Sequence, residues 1–220
     1  MSFRYYSHVA CAILGAAAVT LTGCAGHSDL MAKAASTYAS AVTPSSATIV
    51  FFRDSGVAYA VNFAILDQSA NFLGDAVARA DFAVQVPPGR YFFVAKGGEG
   101  TDAVQAEVAA GHVYYVRVIP RMGMWLAGVE LDPIKPGEKD WQRLSGWLTQ
   151  TNHLTPLVPK SPVGLSASSL PEWAARAWGE LSPAERASHT LVPEDGLAFS
   201  ASSAVVVSPP LAAIEPQQQF

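Results

Sequence analysis

Histidines, serines and paired carboxylates are the first places to look for chemistry in this sequence. His27, His112, His153 and His189 stand far apart along the chain. None belongs to an H-x-x-x-H pair or has a cysteine left to partner it, given the role of Cys24 below, as local zinc sites require. No metal and no cofactor are therefore expected. Gly164-Leu-Ser-Ala-Ser168 comes nearest to a nucleophile elbow. It ends in serine where that motif needs glycine, and no strand pattern precedes it. The carboxylate pairs Glu130/Asp132 and Glu194/Asp195 invite comparison with glycosidases, which place two carboxyls across a sugar bond. Glu130 and Asp132 fall on one face at a strand end, where a solvated edge is the expectation. Gly97-Gly-Glu-Gly100 has neither the Lys-Ser/Thr nor the helix of a phosphate loop and reads as a hairpin turn. No catalytic residue is expected.

The thiols say more. Of two cysteines, Cys11 lies inside an apolar run from Val9 to Thr20 that follows Arg4, and Cys24 ends the sequence Leu21-Thr22-Gly23-Cys24. The run is shorter than the roughly 20 apolar residues that span a bilayer, and a basic start followed by a short apolar stretch is the layout of a secretory leader. The tetrapeptide resembles the bacterial lipobox, an aliphatic residue and two small ones before the cysteine that is lipidated. That resemblance implies a leader of residues 1–23, a lipid on Cys24 and attachment of the chain to a membrane through it. Cys11 would leave with the leader and Cys24 would be acylated, so no disulfide is expected despite an oxidising compartment. Ala25 follows the cysteine. In two-membrane cells a small neutral residue at this place resembles an export signal, which implies the outer membrane, on its periplasmic face or surface.

Charge narrows the partners. The 220-residue chain has 14 basic and 18 acidic residues, a formal charge of −4 at pH 7. Loss of Arg4 with the leader makes the remainder one charge more negative. No cluster of Lys and Arg is present to neutralise phosphates, so nucleic acid is not an expected partner. An envelope protein or a glycan is.

The hydrophobic pattern then assigns the elements. Residues 24–46 are rich in Ala, Ser and Thr and read as a tether. From Ala47 to Asp132 the period is two. Phe82, Val84 and Val86 share a face, as do Val104, Ala106 and Val108, and Tyr59, Val61, Phe63 and Ile65 alternate with their neighbours. The runs 48–52, 91–95 and 113–119 are apolar on both faces, as interior strands are. Pro87-Pro-Gly-Arg90 suits a type II hairpin turn with Gly89 at positive φ. Such strands at short spacing predict an antiparallel β-sandwich over residues 47–132.

The last third changes period. Trp141, Leu144 and Leu148 form a helical stripe within 136–149. Residues 150–168 read as a connection, and Ser169-Leu-Pro-Glu172 and Ser182-Pro-Ala-Glu185 as capping boxes that open two helices. A helical extension over 133–199, packed on the sandwich, is expected, with a disordered tail at 200–220. The fold class is mainly β, with a C-terminal helical extension.

Ala47-Thr-Ile-Val-Phe-Phe-Arg53, Pro87-Pro-Gly-Arg-Tyr91 and Ala110-Gly-His-Val-Tyr-Tyr-Val-Arg-Val118 together resemble bacterial envelope lipoproteins with a small all-β domain, distantly similar to PEGA-type surface modules. The resemblance covers about residues 47–132. It implies a fold and an envelope location, and no catalytic residue comes with it.

All five tryptophans lie in the second half: Trp125, Trp141, Trp147, Trp173 and Trp178. Trp141 and Trp173 are expected to pack helices on the sandwich. The segment Arg121-Met-Gly-Met-Trp125 lies between strand patterns and so on a loop. Its Met122, Met124 and Trp125 are residues enriched where proteins meet. They form a candidate partner surface, with burial under the extension as the competing expectation. Together these features describe a lipid-anchored binding or structural module of the cell envelope. The alternative is an envelope hydrolase acting on glycan or peptide.

Overall fold

The computed structural model describes residues 26–35, 42–157 and 170–199. The leader, Cys24, Ala25, the Gly164–Ser168 segment, the Ser169 cap and the tail at 200–220 lie outside the described residues.

Among the described residues nine strands come first: β1 Met31–Lys33, β2 Ala47–Arg53, β3 Phe63–Leu66, β4 Phe72–Ala76, β5 Ala80–Val86, β6 Gly89–Lys96, β7 Thr101–Val108, β8 His112–Met122 and β9 Ala127–Ile134. A 3-10 turn at Lys139–Arg143 leads into helix α1 Leu144–Leu148, then β10 Asn152–Pro156. Helices α2 Leu170–Glu180 and α3 Pro183–Ser188 follow, with the two-residue strands β11 Thr190–Leu191 and β12 Leu197–Ala198. One sheet has the order β1-β10-β5-β2-β8-β12, with β9 also on β8. The other has the order β11-β7-β6-β3-β4. Most neighbours are antiparallel. Three pairs, β2/β8, β5/β10 and β7/β11, are parallel.

The runs that are apolar on both faces have a simple cause: both sheets are covered outside as well as between. On β2, Ile49 and Phe51 point between the sheets, where Phe51 meets Phe82 at 5.4 Å and Phe93 edge-on at 5.4 Å. Val50 and Phe52 point the other way, into a second cluster with Tyr115, Leu144, Trp147 and Leu148. The outer face of the second sheet carries Phe92, which meets Trp178 of α2 edge-on at 5.6 Å. The layers therefore run helix, sheet, sheet, helix. Each fully buried Phe or Ile contributes roughly 1.5–3 kcal/mol relative to exposure, and this core includes Phe51, Phe63, Phe93 and Ile65.

Several expectations change in detail. The tether expected over residues 24–46 contains β1, which pairs with β10 through Met31↔Pro156 and Lys33↔Leu154. Met31 is buried, and the Ser28 hydroxyl donates to Asp75 Oδ2 at 2.5 Å. The residues expected to connect helices at 150–168 supply β10, so the extension completes both sheets instead of only lying on them. The Pro87–Gly89 segment is no hairpin. It carries the chain from β5 in one sheet to β6 in the other, and Gly89 takes φ +154 instead of the +80 or so of a type II turn. The helix expected over 136–149 is a 3-10 turn and one short α-helix, although Leu144 and Leu148 are buried as its stripe requires. The Ser182 box forms as expected: Glu185 N–H donates to Ser182 Oγ at 3.3 Å and Ser182 N–H to Glu185 Oε2 at 2.8 Å.

Candidate functional site

Strand polarity brings five connections to one pole of the sandwich. The β2–β3 loop (54–62), the β4–β5 turn (77–79), the β6–β7 turn (97–100), the β8–β9 turn (123–126) and the start of β10 all lie there. The register fixes this: Arg53 pairs with Ala80, Phe63 with Ala76, Ala80 with Asn152, Lys96 with Thr101 and Met122 with Ala127. The long hairpin projects furthest. Phe52, next to last in β2, is level with Arg117, and β8 continues to Met122. Five more strand residues extend it by roughly 17 Å.

At its tip Met122, Met124 and Trp125 are 88 %, 85 % and 86 % exposed, and Leu126 is 58 % exposed. Of the nine large hydrophobic side chains exposed among the described residues, six lie at this pole, since Val57 and Tyr59 stand on the neighbouring loop. The burial expected as the competing outcome for Trp125 does not occur. No residue of the extension packs over it among the described residues, and the apolar cluster faces outward.

This tip is built, not merely left over. Glu99 reaches from the β6–β7 turn and its Oε1 accepts the Trp125 and Leu126 N–H groups at 2.8 and 2.9 Å. In return, the Ala127 carbonyl accepts Gly98 N–H at 3.0 Å and Glu99 N–H at 3.2 Å. Gly123 must be glycine, because a Cβ there would run into the Leu126 carbonyl and the Glu99 carboxylate. Arg121 pairs with Glu130 just behind the tip.

The loop beside it hangs on Arg53. This side chain continues the inward stripe of β2 and is fully buried. Its guanidinium donates to the Val61 carbonyl at 2.7 Å, Ala76 at 3.1 Å and Ala58 at 2.8 Å, and also to Val57, and it lies over the Phe63 ring. Burial holds its pKa down at about 10, so it remains a cation at neutral pH. Sequence reading treats Arg53 as the end of a strand. Only the closed loop 54–62 turns it into a hub, and an isolated arginine after an apolar run carries no such signal.

The N-terminal segment enters at the same pole. Gly26 packs against the β4–β5 turn so closely that a Cβ would come within 2.8 Å of Val77 and 3.0 Å of the Ala78 nitrogen. Asn62 Nδ2 donates to the His27 carbonyl at 2.7 Å. Burial pushes the Asp75 carboxyl up, opposed by the hydrogen bond from Ser28.

The groups weighed for chemistry are engaged in the fold. His112 Nδ1 donates to the Ala110 carbonyl at 2.8 Å, His153 Nδ1 lies 2.8 Å from Asp81 Oδ1, and exposed His27 meets Asp29. His189 has both ring nitrogens against acceptors, the Glu185 carbonyl at 2.9 Å and Asp102 Oδ2 at 3.2 Å. Its pKa is raised, first by the bond to Asp102. No group of three His, Cys, Asp or Glu able to hold a metal occurs among the described residues. Glu130 and Asp132 sit within β9 rather than at its end. Burial and then Glu130 push the Asp132 carboxyl up, while Glu130 itself is paired with Arg121. Asp195 accepts the Val192 N–H at 2.9 Å. A groove of about 520 Å³ beside β11 is lined by Arg90, Phe92, Gln105, Glu107 and Thr190 among others. Arg90 and Glu107 pair across it at 3.1 Å, and it holds no nucleophile beside a base.

Of the tryptophans, Trp147 is buried between Phe52 and the guanidinium of Arg117, which stacks 4.0 Å from the ring centroid and clamps Asp54 at 2.8 and 2.9 Å. Trp141 packs edge-on against Tyr115 and Trp178 against Phe92. Among the tryptophan side chains that are described, Trp125 is the exposed one; that of Trp173, expected to pack on the sandwich, lies outside them. No family model, no curated protein and no solved structure matches this chain.

Proposed function

We propose that this protein is an exported lipoprotein, attached to a bacterial membrane by lipid on Cys24 and acting there as a binding or structural module without catalysis. The reading rests on Leu21-Thr22-Gly23-Cys24 behind a short apolar run, and on the resemblance of residues 47–132 to all-β envelope modules. The observation that carries the module's role is the outward-facing apolar tip of Met122, Met124, Trp125 and Leu126. Soluble proteins seldom leave such a cluster open unless it meets something. Ala25 after the cysteine supports placement in the outer membrane of a two-membrane cell.

The test is metabolic labelling. The wild-type chain takes up labelled fatty acid, and Cys24→Ala takes up none and accumulates uncleaved or soluble. Label on Cys24→Ala would overturn the reading. Fractionation checks the address: wild type in the outer membrane, Ala25→Asp shifted inward.

A further inference from the structure

We infer that the partner of the apolar pole is the bilayer itself, so that the β8–β9 tip dips into the interface of the membrane that holds the lipid. The inference rests on the lipoprotein reading above and names the partner of the same surface. Its ground is the meeting, at one pole, of the N-terminal entry and the exposed apolar tip.

Cys24 is two residues before Gly26. Two residues span at most about 7 Å, and Gly26 is already seated on Val77 and Ala78. A lipid on Cys24 therefore leaves almost no slack. The sandwich must rest close to the bilayer with this pole nearest, and the pole is where Met122, Met124, Trp125, Leu126, Val57 and Tyr59 are exposed. A longer tether over residues 24–46 would have left the orientation free, but β1 removes it.

The chemistry of the tip suits a lipid interface. Indole and phenol rings pair an apolar body with a polar edge and collect at the headgroup boundary. Backbone donors are costly to take out of water unless they are bonded, and Glu99 already accepts those of Trp125 and Leu126. The shape argues the same way. A stable protein interface uses about 20–30 residues a side over a broad face, whereas this is a narrow convex arm with four apolar side chains. Weak insertion suffices, because the anchor holds the tip at high local concentration. Charge does not drive it: Arg121 is paired with Glu130, and the chain is acidic overall. Contact should therefore persist in high salt.

The experiment uses the full chain, lipidated in a bacterial host, purified and reconstituted in vesicles of phosphatidylethanolamine and phosphatidylglycerol with or without acyl-brominated phosphatidylcholine. Emission of wild type minus Trp125→Phe isolates the tip from the other tryptophans. Bromine should quench a large part of that difference, equally in low and high salt. Cys24 labelled with fatty acid but the Trp125 signal unquenched overturns the bilayer contact and leaves the lipoprotein reading standing. A photo-crosslinker at position 125 that captures one envelope protein in cells, with no quenching, assigns the tip to a protein partner instead. Absence of fatty acid on Cys24 overturns the lipoprotein reading and the inference with it.

Discussion

Glu99 and Trp125 lie 26 residues apart on the turns of two different sheets, and the carboxylate of one accepts the backbone N–H of the other at 2.8 Å. The same oxygen takes the Leu126 N–H at 2.9 Å. The two hairpins are thereby joined at the point where apolar side chains face outward. Glu99→Ala should lower global stability by only about 1 kcal/mol, as for one exposed hydrogen-bonding group. Hydrogen exchange at Trp125 and Leu126 should accelerate well beyond that of the β8–β9 ladder. Unchanged exchange there would mean that the tip holds its shape without Glu99.

The exposed and buried tryptophans should part company. Met124→Ser combined with Trp125→Ser removes side chains that touch little, and the melting temperature should stay nearly constant. Trp147→Ala removes a ring that is only 7 % exposed and should cost about 3–5 kcal/mol. Thermal or urea unfolding of the two variants decides this.

Arg53→Lys keeps the charge and loses the fork. A lysine cannot serve the carbonyls of Val57, Ala58, Val61 and Ala76 together, and those left over stay buried. We expect a loss of about 3 kcal/mol and faster proteolysis within 54–62. A variant as stable as wild type would show that the loop closes without this hub.

The His189 contact gives a pH dependence with a defined sign. Its pKa is raised in the folded chain above its ordinary 6.5, chiefly by the hydrogen bond to Asp102, with burial opposing. A raised folded-state value means protonation favours folding. The contribution is complete below about pH 6.5 and is lost as pH rises through the folded-state pKa. His189→Gln should therefore destabilise the protein more at pH 5.5–6 than at pH 9. Urea titrations across that range measure the difference. The Asp102 and Glu130 charges lie on the side of the imidazole that raises its pKa.

Two glycines also reorder. Sequence reading requires a positive φ of Gly89 and gives Gly98 only a place in a hairpin turn. In the fold, a Cβ at Gly98 would come within 2.8 Å of the Leu126 Cβ. Gly98→Ala should cost about 1 kcal/mol or more and shift the Trp125 emission, because it pushes on the tip. Gly89→Val should cost about 1–3 kcal/mol through its φ and leave the tip signal untouched.

What the chain determines by itself is the local part. Alternation over 81–86 and 103–108, apolar runs at 48–52 and 113–119 and the glycines at 97–100 specify strands and a hairpin, because a period of two and a turn residue act within a few positions. Ser182 and Glu185 specify a helix start for the same reason. That Met124 and Trp125 fall on a turn was legible, although Arg121 and Met122, read with them as loop, continue β8; that the segment stays exposed was not. Exposure depends on which strands of the other sheet, and which part of the extension, come near, and no local pattern encodes that. Tertiary pairing alone made a strand of Met31–Lys33 inside an Ala- and Ser-rich segment, by offering it the open edge of β10. It turned Pro87–Gly89 from a hairpin into a passage between sheets, because β5 found β2 and β10 while β6 found β7 and β3. It also brought Gly26, Arg53, Glu99 and Trp125 to one pole. Those residues are distant in sequence, and only the direction of each strand across the closed sandwich places them together.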